Sequence, residues 1–410
     1  MTMRTINSDG LLEHFEAFVR EDPAVNRWEL YRQCRSEPMF YSPSLDAWVV
    51  TRYDDVLTVL KDGETFVTLE KGPGSTVYGR TILHMRGDEH RKKRGVAARQ
   101  LAGAKAVARV DAFLTRACRD LTGALPMSPE VAELKRAYCM WIPLMVIGDL
   151  MNVEDPSRFC DWYSTISAGS MSSMGHPERY ELAKVAVREL GDYIRPLIEE
   201  RRVTPGDDII SDYCQATYND QPIPDDEIIA MVVLLLTAGV ETTERGLANL
   251  LLLLIEQPDL WHLVRNDRTL VESAAAEALR YMAPIHAVTR KSSREVEFGG
   301  QVLPADTRFF ALVASANRDE SQFPDGERFD PTRFRADAAR QYTGAAQILP
   351  FGGGAHLCAG APLVQLEMRH ALNALMDRVS DISFRDGVPT PVGFLLHSST
   401  RLDVLLTPAG

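Results

Sequence analysis

Cysteine is scarce in this sequence: six in 410 residues, at positions 34, 118, 139, 160, 214 and 358. None forms a C-x-x-C pair or has the Cys/His spacing of a zinc site. A disulfide framework and a zinc centre are both excluded, and reduced thiols in a cytoplasmic protein are expected. Long apolar runs are also missing. The longest, Ile228–Gly239, is too short to span a bilayer, and Glu241, Glu244 and Arg245 follow it. Residues 1–21 are polar and charged, with no signal-peptide core, so no membrane anchor is expected. Basic residues are in deficit: the formal net charge is −12, which argues against broad nucleic-acid binding. Linkers, low-complexity runs and internal repeats are absent, so one large domain over residues 1–410 is expected.

What is present centres on residues 351–360, F-G-G-G-A-H-L-C-A-G. Directly after it, Pro362 to Val379 shows apolar residues at three- and four-residue steps, Leu363, Leu366, Ala371, Leu372 and Leu375, the pattern of a helix. Proline in the first turn with glycine just before it suits a helix start. Cys358 therefore sits at or just before a helix N-terminus, where the dipole and free N–H groups favour a thiolate. Gly352, Gly353, Gly354 and Gly360 let a large flat partner approach the backbone. A lone cysteine also reads as a small buried hydrophobe. A phosphate cradle fits less well, because neither G-x-G-x-x-G nor Gly-Lys-Ser/Thr is present. Thiolate, open backbone and flat partner together point to haem iron with a cysteine axial ligand.

Phe351, Gly354, His356, Cys358 and Gly360 match F-x-x-G-x-H-x-C-x-G. This resembles the haem-binding loop of the cytochrome P450 family, the haem-thiolate monooxygenases. Further motifs appear in that family's order across residues 88–360. D-E-H-R-K-K-R (88–94) opens a helix and puts His90 and Arg94 on one face. Such a run alone reads as a solvated basic face; the resemblance makes His90 and Arg94 ligands of the haem propionates. Arg91 and Lys92 would then face outwards, where an acidic redox partner could dock.

Residues 224–256 are apolar nearly all round, which predicts a buried helix. Within it, A-G-V-E-T-T (238–243) places a charged Glu241 beside Thr242. A carboxylate there either pairs with a basic residue or relays protons, with the threonine hydroxyl as donor. The resemblance implies the second role, an acid–alcohol pair for oxygen activation, with Gly239 leaving room for dioxygen. E-A-L-R (277–280) means little alone, since Glu29/Arg32, Glu133/Arg136 and Glu199/Arg202 fit the same spacing. Its place between the oxygen motif and P-T-R-F (331–334) matches the family's order, and the resemblance implies a buried charge triad of Glu277, Arg280 and Arg333 that holds the Cys358 loop. Arg290 matches a third propionate ligand. Cys358 would be the metal ligand, and His356, Phe351, Gly352, Ala238 and Gly360 would line the cofactor.

Candidate substrate contacts follow from the same resemblance: Val77, Tyr78 and Ile82 in the loop 67–87, Leu234 and Thr237 on the long helix, His286 and Val288, and Phe394 and Leu395. His286 reads equally as a structural histidine, and Ser167–Met174 as either a lid or a flexible turn. The expected fold is mainly α with a small β region, the family's triangular prism. Helices are expected at 24–36, 54–61 and through most of 105–202; strand character falls at 39–53, 296–298, 301–303 and 382–406. Haem b would lie between the 224–256 helix and the Cys358 loop. The implied partners are O2, a small hydrophobic substrate, and a separate ferredoxin or flavodoxin with an NAD(P)H-dependent reductase. No membrane or nucleic-acid partner is expected. Hydroxylation is the implied outcome; oxidative coupling, desaturation, and a haem-thiolate sensor or carrier are the alternatives.

Overall fold

Asp225–Glu256 forms the longest helix among the described residues. Asp225, Asp226 and Glu227 fill its first turn, where acidic side chains complement the helix dipole. Its apolar residues are buried on nearly every side, as an all-round hydrophobic sequence requires. The computed structural model describes residues 8–69, 77–153, 155–171 and 177–410. Their contacts gather into two compact units, each built from stretches far apart in sequence. That interleaving explains why no linker marks a boundary.

The first unit holds residues 8–69, 272–358 and 390–400. Its sheet runs in the order Phe40–Ser42, Ala47–Val50, Arg308–Ala311, Val288–Ser292, Phe66–Val67. Ala47–Val50 and Arg308–Ala311 are parallel; the other pairs are antiparallel. Phe15, Phe18, Tyr31, Val49, Phe310 and Leu312 form a core with the helices Ser8–Val19 and Arg27–Cys34. The expected N-terminal mixture of short helices and strands is therefore present. Val296–Phe298 and Gln301–Leu303 form a hairpin as expected. Gly299 and Gly300 close it with φ of 58° and 78°, the left-handed pair that a tight hairpin turn needs.

The second unit holds residues 77–271, 359–389 and 401–410 and carries most of the helix. Helices Ala104–Ala124, Trp141–Leu150, Arg158–Met171 and Pro177–Val203 fill the stretch expected to be helical. Breaks fall at Pro126 and Pro156. Val131–Glu133 departs from the expectation: it is a strand, because its backbone pairs with Asp403–Pro408. Asp403–Pro408 also pairs with Val379–Phe384, which accounts for the strand character read near the C-terminus.

Glu367, on the Ala361–Arg378 helix, is a buried carboxyl pushed up to about 8 by burial. From its ordinary 4.5 up to about 8, the folded chain keeps a proton that the unfolded chain releases. Stability therefore falls as pH rises through that window, at up to about 1.4 kcal/mol per pH unit. Glu367→Gln is expected to flatten this loss, and urea midpoints of both proteins across the window check it. Equal slopes would remove Glu367 as the cause.

Candidate active site

The glycine-rich loop turns on two glycines in the left-handed region, Gly352 at φ 73° and Gly354 at 61°. A Cβ on Gly354 would lie 2.9 Å from the Lys61 carbonyl oxygen, so this position admits no side chain without displacing backbone. Phe351 is buried with its ring 5.5 Å from that of Tyr342. The Cys358 N–H donates to the Phe351 carbonyl at 2.8 Å and closes the loop. His356 ends a short 3-10 turn inside it. The following helix runs Ala361–Arg378, with Pro362 in its first turn as the sequence predicts.

Cys358 is exposed, whereas Cys34, Cys118, Cys139 and Cys214 are buried and Cys160 is half-buried. Burial pushes the thiols of Cys34 and Cys118 up to about 12, and raises those of Cys139, Cys160 and Cys214. Those five stay protonated, as packing residues do.

Arg290 lies on the Val288–Ser292 strand opposite Phe309. It is 8% exposed, and burial lowers its pKa. Its guanidinium donates to the Thr289 carbonyl at 3.0 Å, and among the described residues no carboxylate forms an ion pair with it. A buried guanidinium without a carboxylate is costly unless an anion meets it.

Glu277 and Arg280 are both 0% exposed. Arg280 meets Glu277 in a fork, Nε to Oε2 at 2.7 Å and Nη2 to Oε1 at 2.8 Å. Arg333 Nε reaches the same carboxylate at 3.1 Å, so the expected triad is assembled. Arg280 also donates to the carbonyls of Asn317 and Gly326. The Asn317 side chain accepts from the Leu349 N–H at 2.8 Å, two residues before Phe351. The charge network thus reaches the cysteine loop through Asn317. The rival pair Glu29–Arg32 is solvent-exposed, and Arg202 pairs with Asp225.

On the long helix, Ala238 is exposed although most of its neighbours are buried. Thr242, one turn on, is half-exposed, and its hydroxyl donates to the Ala238 carbonyl at 2.8 Å. Leu234 and Thr237, expected to face substrate, are buried, and the Thr237 hydroxyl bonds the Val233 carbonyl. Gly239 has a packing reason beyond room for dioxygen: an added Cβ would meet Ile147 Cδ1 at 3.1 Å.

Glu241 is 7% exposed and paired at both oxygens. Oε1 accepts from Arg245 Nη2 at 2.8 Å, and Oε2 accepts from the Ser167 hydroxyl. One turn further, Glu244 accepts from the Tyr163 hydroxyl at 2.5 Å and lies 3.9 Å from Lys135 Nζ. Arg245 was readable as an i, i+4 partner of Glu241. Ser167 was not, because the fold brings it in from 74 residues away.

His90 is buried in the Gly87–Ala102 helix; burial and the nearby Arg94 charge lower its pKa and keep the ring neutral. Arg94 is half-buried. Arg91 and Lys92 face solvent as expected, but Asp88 pairs with both and offsets part of the basic patch. Lys93 turns inwards between Glu89 and Glu227.

The remaining substrate candidates separate. Val77 and Ile82 are buried, and burial, with the Glu241 carboxylate nearby, raises the phenol pKa of Tyr78. Residues 70–76 of the loop, and 172–174 of the Ser167–Met174 joint, lie outside the described residues. Val288 is half-buried. His286 takes the structural alternative: it is buried, its Nδ1 lies 2.9 Å from the Tyr31 hydroxyl, and its ring packs 4.7 Å from that of His397. Phe394 stacks on Phe310, and Leu395 packs beside the same core. Both therefore have a packing role in the first unit.

The family model described as Cytochrome P450 matches residues 19–380. Cytochrome P450 107B1 of Saccharopolyspora erythraea is 33% identical over 401 residues, 93% of each chain. Pulcherriminic acid synthase of Bacillus subtilis is 28% identical over 367 residues, 88% of this chain and 90% of that one. The substrate-free crystal structure of CYP109E1 from Bacillus megaterium matches at a TM-score of 0.84 and 27% identity, covering 94% of this chain and 99% of that chain.

Proposed function

Because the chain belongs to the cytochrome P450 family of monooxygenases, we propose that it hydroxylates a small hydrophobic metabolite, using O2 and electrons from separate redox proteins. The observation that carries this reading is the Ala238–Thr242 strip. A small residue and a hydroxyl stand open on a helix that is otherwise packed, with a buried carboxylate beside them. A helix used for packing alone has no need of that combination.

The residues fit haem b. Arg290 is a buried cation with no carboxylate paired to it among the described residues, which suits a propionate. Cys358 is exposed where the other five cysteines are buried or half-buried, on a loop whose glycines admit a flat partner. In this reading Cys358 would ligate the iron, His90, Arg94 and Arg290 would hold the propionates, and His356 would line the cofactor. Phe351, Gly352, Ala238 and Gly360 would line the ring. When bound, the thiolate-ligated haem supplies O2 activation. Thr242 then donates a proton from its hydroxyl, and Glu241 replaces it from solvent.

A name such as pulcherriminic acid synthase supports secondary metabolism as the setting. The exposed Arg91 and Lys92 support docking of an acidic ferredoxin or flavodoxin, since rim charges set encounter more than affinity.

The test is Thr242→Ala. Haem content and NAD(P)H consumption are expected to persist, while product per NAD(P)H falls about tenfold and peroxide rises. A compound that shifts the haem spin state serves as the assay substrate. Unchanged product yield would remove the proton-delivery role.

A further inference from the structure

The two carboxylates on the long helix have matching surroundings. Glu241 takes a hydroxyl from Ser167 and an ion pair from Arg245; Glu244 takes a hydroxyl from Tyr163 and lies near Lys135. Tyr163 and Ser167 are one turn apart on the Arg158–Met171 helix, so one face of it serves both acids. The partners of Glu241 differ in what they can do. Arg245 sits on the same helix, four residues on, and moves with Glu241. Ser167 comes from a different helix and gives the carboxylate an external reference.

We propose that Ser167 is a positioning residue for the oxygenation reaction: its hydroxyl, acting against the Arg245 clamp, fixes the plane of the Glu241 carboxylate toward Thr242. This rests on Glu241 being the proton-delivering acid. A glutamate side chain has three free torsions, and one donor leaves its carboxylate free to swing. Donors on both oxygens, from two helices, remove that freedom. Without Ser167, Arg245 alone draws the carboxylate along its own helix. Proton transfer needs donor and acceptor within hydrogen-bond reach, so the swing breaks delivery while folding is kept. Tyr163 makes the equivalent contact to Glu244, away from Thr242, and has no such role.

The experiment uses the haem-loaded protein with NADPH, a ferredoxin and its reductase in air, with no organic substrate added. Oxygen then leaves either as peroxide, using two electrons and two protons, or as water, using four of each. The ratio of water to peroxide reads proton delivery. Ser167→Ala is expected to lower it about tenfold, Ser167→Thr to restore it, and Tyr163→Phe to leave it unchanged. Infrared spectra of the resting protein give a second readout. The carboxylate-stretch difference between Ser167→Ala and the parent should vanish in a Glu241→Gln background.

Equal shifts for Ser167→Ala and Tyr163→Phe would overturn the proposal in favour of helix packing. A parent-like ratio in Ser167→Ala, with a lowered one in Glu241→Gln, would overturn it and leave the role of Glu241 standing. A parent-like ratio in Glu241→Gln itself would overturn both.

Discussion

Replacing Cys358 with histidine abolishes the strongly red-shifted Soret band of the carbon monoxide complex formed by the reduced protein. The loss is expected to be complete, because that band needs a thiolate on iron and the other five cysteines are poor substitutes. Four are buried and one half-buried, and burial raises the pKa of every one of them. A thiol without its charge is a weak ligand. Cys160, the half-buried one, is the control: Cys160→Ser leaves the band in place. A band that survives in Cys358→His would place the ligand elsewhere and remove the thiolate mechanism. No band in the haem-supplemented parent would remove the haem reading altogether.

The legible parts of this chain are those where a short motif states its own chemistry. The cysteine loop, the Glu241–Thr242 pair and the choice of Glu277 among four E-x-x-R pairs came from motif spacing and order matched to the family they resemble. Arg290 needed the resemblance to suggest it; that it is buried, with no carboxylate paired to it among the described residues, could not be read from the sequence. What could not be read was long-range. Ser167 meets Glu241 across 74 residues, and Val131–Glu133 turns into a strand because Asp403–Pro408 offers its edge. Periodicity sees only neighbours within a few turns. His286 was ambiguous because a histidine facing a ligand and one bonded to Tyr31 look alike in sequence. Gly239 read as space for a ligand, and its closeness to Ile147, which a side chain would crowd, could not be read from the sequence.

Glu277→Ala is expected to remove about 3–5 kcal/mol of stability, the cost of stranding a buried charge without its partner. That is a large share of the roughly 5–15 kcal/mol that holds a typical domain folded. The loss falls on Arg280 most of all. Its guanidinium is 0% exposed and has two bonds to Glu277. Carbonyls of Asn317, Gly326 and Arg328 accept from it as well, but they supply no net charge. Arg333 is less buried and keeps its bonds to the carbonyls of Pro324 and Asp325. The Glu277 carboxylate also accepts from the Asp330 N–H, so its removal loosens the segment that Arg333 belongs to. Glu29→Ala, at an exposed pair of the same spacing, should cost under about 1 kcal/mol. Urea midpoints of the two variants check the contrast. Equal midpoints would mean that Glu277 is no keystone. A destabilised Glu277→Ala that still binds haem fully at low temperature would separate folding from the cysteine loop. It would also break the proposed link through Asn317 and Leu349, which requires both to fail together.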